Sequence, residues 1–196
     1  MGRQYRARFL RNTLDLMRAT PNVQRELVYL PDDAATYFQD LAPDFQLSPQ
    51  QGAELGERLD NLLSRALATG ATVAVVMDND SPTLPVPYLA AALALHAGAD
   101  VVLGTCDDGG YYLIGLRQPQ SRLLREVPMS IPTVLADTLA IARELDLNVA
   151  LLPTWYDVDT VVELTRLRQE LSALEATVAK YTRTFLAQMN FANLNL

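Results

Sequence analysis

Residues 73–116 read VAVVMDNDSPTLPVPYLAAALALHAGADVVLGTCDDGGYYLIGL. The run Val73–Met77 is apolar and valine-rich, which suits a strand buried on both faces. It stops abruptly at Asp78-Asn79-Asp80. Carboxylates at the carboxyl end of such a strand lie where open α/β sheets bind ligands. Two acids one residue apart on an extended chain point to the same side, so one hard cation can meet one or both. The second half repeats the logic: Val101–Leu103 is another short apolar run, and Asp107-Asp108-Gly109-Gly110 follows it.

Working outward, Pro85 and Pro87 introduce a helix that runs through Leu95 and ends at Gly98. Residues 100–104 and 111–116 read as strands, and the two glycines between them allow a tight backbone path. Upstream, Leu59, Leu62, Leu63, Ala66 and Leu67 keep helical spacing, and Gly70 closes that helix as a C-terminal cap. Further back, residues 5–17 form an amphipathic helix with its arginines on the outer face. Residues 26–30 and 45–47 read as strands, with a short helix carrying Tyr37 and Phe38 between them. Downstream of Pro119 the chain is loop-like until Ile131-Pro132. A helix over 133–145, a strand over 149–152 and helices over 161–174 and 177–189 complete it, with a frayed tail. No repeat or linker interrupts the chain, so residues 1–196 are expected to form one domain. Strands alternate with helices, which predicts a mostly parallel sheet with helices on both faces.

Composition narrows the function. The chain has 196 residues, 49% of them hydrophobic, and a net charge of -7. Its length permits a sizeable core. The negative balance makes nucleic acid an unexpected partner, and an anionic substrate would need local cations or a metal. Cys106 is the single cysteine, so neither an internal disulfide nor a cysteine zinc cluster is possible. The longest apolar stretch, near residues 89–97, is too short to span a bilayer. No signal-peptide pattern opens the sequence, and a cytoplasmic protein is the expectation.

Three segments, MDNDSPTLP, DVVLGTCDDGGYYLIGL and LLPTWYDVDT, carry a resemblance in their order and spacing. Together they resemble an uncharacterised bacterial glycosyltransferase-like family of the nucleotide-diphospho-sugar transferase superfamily, which has the GT-A fold. The matching positions are Gln50, Leu55-Gly56-Glu57-Arg58, Asp80-Ser81-Pro82, Asp108 to Gly115, and Asp157 to Thr160. The run Asp-Gly-Gly-Tyr-Tyr-Leu-Ile-Gly is the most specific of them. Two departures stand out. Asp78 replaces the usual glycine, which produces a literal Asp-x-Asp. The strand and glycine loop with Lys-Thr-Arg-Leu that open the family are not found in these residues, so either the start of the sequence is short, or the sheet closes differently, or another chain fills the gap. A second chain is expected to cover the edge this leaves, giving a homo-oligomer.

The resemblance implies transfer from a nucleotide-activated sugar, with a divalent cation, magnesium or manganese, held by oxygen ligands at the donor diphosphate. Asp80 is the leading ligand, Asp159 the second, and Asp78 and Asp157 follow. Gln50 and Gly56 would approach the nucleotide, and Arg58 would pair with a phosphate. Asp108 would bind the sugar or act as a base, while Gly109 and Gly110 would admit backbone close to the ligand. A nucleotidyltransferase using a nucleoside triphosphate, or a non-catalytic, partner-dependent remnant of the fold, are the alternatives. Structural roles compete at several of these positions. Asp80 could be a turn or a helix cap, and Asp157 or Asp159 could cap the helix after them. Arg58 could be a solvated helix residue. The Asp-Asp-Gly-Gly segment could be a simple hairpin turn. His96 reads as structural and Cys106 as inert. Trp155 and Tyr156 could stack on a ligand or fill the core.

Overall fold

The computed structural model describes residues 2–95 and 98–189. His96 and the 191–196 tail therefore lie outside the described residues. Helix α1 (Gly2–Ala19) leads into β1 (Glu26–Tyr29). A short 3-10 turn precedes α2 (Ala35–Leu41), which is followed by β2 (Gln46–Pro49) and α3 (Leu55–Ala68). Next come β3 (Ala74–Met77), α4 (Val86–Leu95), β4 (Val101–Cys106) and β5 (Tyr111–Leu116). The chain then forms α5 (Ser121–Arg125), α6 (Val134–Glu144), β6 (Val149–Trp155), α7 (Val161–Ala173) and α8 (Lys180–Gln188).

The strands form two sheets. β1 and β2 pair in parallel, and the other four lie in the order β3-β5-β4-β6. β5 runs antiparallel to both neighbours, whereas β4 and β6 are parallel. Three of these four strands thus point one way. The expected mostly parallel sheet becomes a mixed one because the hairpin after Cys106 folds β5 back between β3 and β4. The alternation of strand and helix still gives an α/β fold with helices on both faces.

One face of the larger sheet packs Leu63 of α3, Leu123 and Leu124 of α5 and Ala142 of α6 against Val101, Leu103, Ile114 and Leu116. The opposite face packs Leu89 and Ala92 of α4, with Leu16 and Met17 of α1, against Val102, Tyr112, Leu113 and Leu152. The central strands β4 and β5 are almost wholly buried, as continuous apolar runs require. β3 departs from the expectation of burial on both faces. Only Ala74 is fully buried, because β5 is its single neighbour in the sheet.

The smaller sheet lies in the same layer. Leu27 and Tyr29 of β1 pack with Leu14 and Met17 of α1, while Glu26 and Ser48 meet Arg65 of α3 at 2.6 and 2.9 Å. β3 alternates between the same two helices: Val75 and Met77 lie toward α1, and Ala74 and Val76 toward α3. Helices α1 and α3 therefore clamp both sheets, yet β1 and β3 are not hydrogen-bonded to each other.

Two elements differ from expectation in a simple way. Helix α5 occupies part of the segment read as loop; its five residues are too few to reveal a period. β6 continues to Trp155 because the backbone of residues 106 and 107 extends the ladder, with the Asp107 amide donating to the Trp155 carbonyl.

Candidate active site

The site is built where β3 and β6 end. The Asp78 amide donates to the Tyr112 carbonyl at 3.1 Å, which prolongs the β3–β5 ladder by one bond. Asp78 Oδ1 then accepts the Asp80 amide at 3.3 Å, closing a small turn. The Asp80 carbonyl accepts the Val158 amide at 2.9 Å, which ties this turn to the segment after β6. Ser81 completes the joint: its hydroxyl contacts the Tyr156 carbonyl at 3.0 Å and Asp157 Oδ1 at 2.5 Å. Asp78, Asp80, Asp157 and Asp159 therefore lie on two loops bonded side by side. Asp80 and Asp159, the leading pair of expected ligands, fall at one rim rather than on opposite sides of the molecule.

Crowding four carboxylates has an electrostatic result. Burial raises the Asp78 carboxyl well above the usual range, and the charges of Asp157 and Asp80 add to the rise. Asp80 is raised by burial too, with the Arg6 guanidinium pulling it down and Asp159 and Asp157 pushing it up. Asp157 is raised by burial, against hydrogen bonds from Ser81 and Cys106 that favour its charged form. Asp80 Oδ1 is buried and has no hydrogen-bond partner. Unpaired buried oxygens of this kind are uncommon in folded proteins. Among the described residues, no three His, Cys, Asp or Glu side chains are already gathered as a metal-binding group.

The β4–β5 turn borders the cluster. Asp108 Oδ1 accepts the Gly110 amide at 2.8 Å, so this carboxylate shapes its own turn. Gly109 has a φ of +93°, and a Cβ there would overlap the Pro132 carbonyl. The backbone it admits is the protein's own. Cys106 donates its thiol to Asp157 Oδ2 at 3.2 Å, and burial holds that thiol protonated, in line with its reading as inert. Tyr156 is buried, and Trp155 stacks on it at 5.8 Å and meets Tyr88 edge-on, so both rings serve the core. Arg166 of α7 locks this wall: it pairs with Asp107 at 2.7 Å and lies over the Tyr156 ring.

The remaining expected residues sit at the end of β2. The Gln50 amide donates to the Tyr29 carbonyl at 2.9 Å. Arg58 donates to the Gly52 and Ala53 carbonyls at 3.0 and 2.8 Å, holding the loop that leads into α3. Gly56 lies against α5, where any side chain would overlap the Leu124 carbonyl oxygen. The cap of α7 is neither Asp157 nor Asp159. Thr160 accepts the Val162 amide at 3.1 Å, and Glu163 reaches back to the Thr160 amide at 2.8 Å, a complete capping box. That frees both aspartates from the cap. Sequence reasoning gave no role to Ser81, the bolt between the loops, nor to Arg6; the polar Ser81 beside an acidic turn was the available signal.

Residues 13–131, more than half of the chain, match the family described as "Uncharacterized protein conserved in bacteria (DUF2064)". The chain belongs to that family. Among solved structures, this DUF2064 member resembles a protein from Desulfovibrio desulfuricans G20 provisionally named a nucleotide-diphospho-sugar transferase. The two share 28% identity at a TM-score of 0.84, over 93% of this chain and 82% of that one. A 4-diphosphocytidyl-2C-methyl-D-erythritol synthase from Anaerococcus prevotii DSM 20548 follows at TM-score 0.61 and 13% identity, over 84% of this chain and 86% of that one. A CMP:2-keto-3-deoxy-manno-octonic acid synthetase complexed with CTP aligns at TM-score 0.58 and 11% identity, over 84% of this chain and 88% of that one. These last two share the fold only. No curated protein matches the chain. The DUF2064 chain thus has the nucleotide-diphospho-sugar transferase fold. No helix among its described residues is long and apolar enough to cross a membrane.

Proposed function

We propose that this chain is a metal-dependent, glycosyltransferase-like enzyme of the cytoplasm acting on a nucleotide-activated sugar. The observation that carries the reading is the joint between the two acidic loops, with the orphaned Asp80 Oδ1 at its centre. Mutually repelling carboxylates with an unsatisfied oxygen suit a hard divalent cation such as magnesium or manganese. Asp80 and Asp159 would hold it, with Asp78 and Asp157 beside them; Asp159 is exposed on its loop. When bound, the ion would neutralise the donor's diphosphate as it leaves. The four side chains themselves orient the site: Ser81 fixes Asp157, and the Asp78–Asp80 turn fixes Asp80. Asp108, on the neighbouring turn, would contact the sugar or accept a proton from the acceptor. Gln50, Gly56 and Arg58 form and support the loop at the β2 end, where the nucleotide would lie, and Gly109 and Gly110 would let the β4–β5 turn come close to the ligand. The net charge of -7 favours a small nucleotide over nucleic acid as the partner. Self-association through an unpaired strand edge is part of the same reading.

Calorimetry with manganese and a panel of nucleoside diphosphates tests the proposal. Binding, followed by conversion of a nucleotide sugar to the nucleoside diphosphate, is the expected result. Release of pyrophosphate from a nucleoside triphosphate would instead establish a nucleotidyltransferase. Failure of every nucleotide and of manganese to bind would leave a non-catalytic fold.

A further inference from the structure

Helix α1 contributes more than core packing to this site. Phe9 is fully buried and packs in one cluster with Tyr156 and Val158, the residues that flank Asp157. Tyr5 adds to the same anchor, its ring 5.3 Å from that of Phe9. Val158 in turn donates to the Asp80 carbonyl. Arg6 precedes Phe9 by three residues, which places it on the same face one turn nearer the helix start. Its guanidinium is therefore carried to the junction of the two acidic loops, and its field reaches Asp80.

Two other arginines of this helix are engaged elsewhere. Arg11 lies over the Tyr181 ring, and Arg18 pairs with Asp15 and Asp44. Arg6 is exposed, and among the described residues no carboxylate stands within ion-pair distance of it. A guanidinium whose charge reaches Asp80 without forming an ion pair leaves an interval between a positive group and a negative one. An anion bearing its own cation fits such an interval. Its metal-bound oxygens would turn toward the aspartates, and its remaining oxygens would meet the planar fork of donors.

We propose that Arg6 grips the pyrophosphate group of the activated donor on the side away from the carboxylates, and so selects for a doubly phosphorylated ligand. This inference rests on the transferase reading above. It assigns a binding role to a helix that the motifs around the strand ends leave out. Arg8 supplies the control. It is exposed on the same helix, two residues on and so about 200° round the axis.

The experiment titrates inorganic pyrophosphate into wild type, Arg6→Gln, Arg6→Lys and Arg8→Gln at low ionic strength and saturating manganese, after manganese has been titrated alone. Arg6→Gln is expected to bind manganese at least as tightly as wild type, since a repelling charge is gone. Its pyrophosphate affinity is expected to fall tenfold or more. Arg6→Lys should recover part of the loss, and Arg8→Gln should stay within twofold of wild type. Equal losses in Arg6→Gln and Arg8→Gln would reduce the effect to net charge and overturn the assignment. Unchanged pyrophosphate binding in Arg6→Gln, with manganese still bound, would overturn it too while leaving the metal site standing. Failure of wild type to bind manganese would remove the metal site, and Arg6's role with it. Thermal melts of all four proteins confirm that each is folded.

Discussion

Asp78 and Asp80 are one residue apart, yet their oxygens are satisfied differently. Asp78 Oδ1 accepts the Asp80 amide, and Asp80 Oδ1 accepts nothing. Burial and neighbouring charge raise the Asp78 carboxyl in the folded protein. A carboxyl raised on folding favours the native state fully only below its unfolded value of about 4. That contribution is lost as pH climbs through the raised value. Asp78→Asn removes the loss, so in metal-free buffer at pH 8 the variant should melt above wild type. The gap should narrow as the pH is lowered toward 4, and melting curves across that range check it. The aspartates were legible in the sequence because an acid at the end of an apolar strand has a fixed direction. The working partners of Gly56 and Arg58 were not legible. Gly56 is matched to a carbonyl on α5, and Arg58 to a loop that it must itself hold in shape.

At the scale of elements, the junctions can be perturbed without touching the carboxylates. Gly56→Ala forces a methyl group onto the Leu124 carbonyl, where neither backbone can yield cheaply. A loss of about 1–3 kcal/mol or more is expected, seen as a lower denaturant midpoint with an unchanged slope. Thr160→Ala dismantles the capping box of α7 and should cost about 1 kcal/mol, a fall in Tm of roughly 2–4 °C for a chain of this size. Manganese affinity should survive this second change, since the cap and the ligands are different residues. Helix and strand periods foretold most elements, including the Gly70 closure of α3, where φ is +103°. They misjudged β3, because an apolar run records hydrophobicity and not the number of neighbours. They passed over α5, whose position is set by Arg125 locking onto the buried Asp60 of α3.

At the scale of the molecule, the two sheets expose more strand edge than one continuous sheet would. β1, β2, β3 and β6 each have a single hydrogen-bonded neighbour among the described residues. Open edges invite pairing with another chain. Elution at a mass above 21.6 kDa that falls toward it on dilution is the expected behaviour, and light scattering across a concentration series reads it directly. The α/β class was evident from alternation alone. The division of the layer was not, because which strands become neighbours depends on contacts far apart in the chain.

That division bears on how the protein yields to stress. Among the described residues no ladder of amides and carbonyls runs between β1 and β3, and side chains of α1 and α3 bind one part to the other. A seam stitched by two helices should be the first place to open under mild denaturant. Deuterium uptake along β3 should then outrun that of β4, although both carry an apolar sequence.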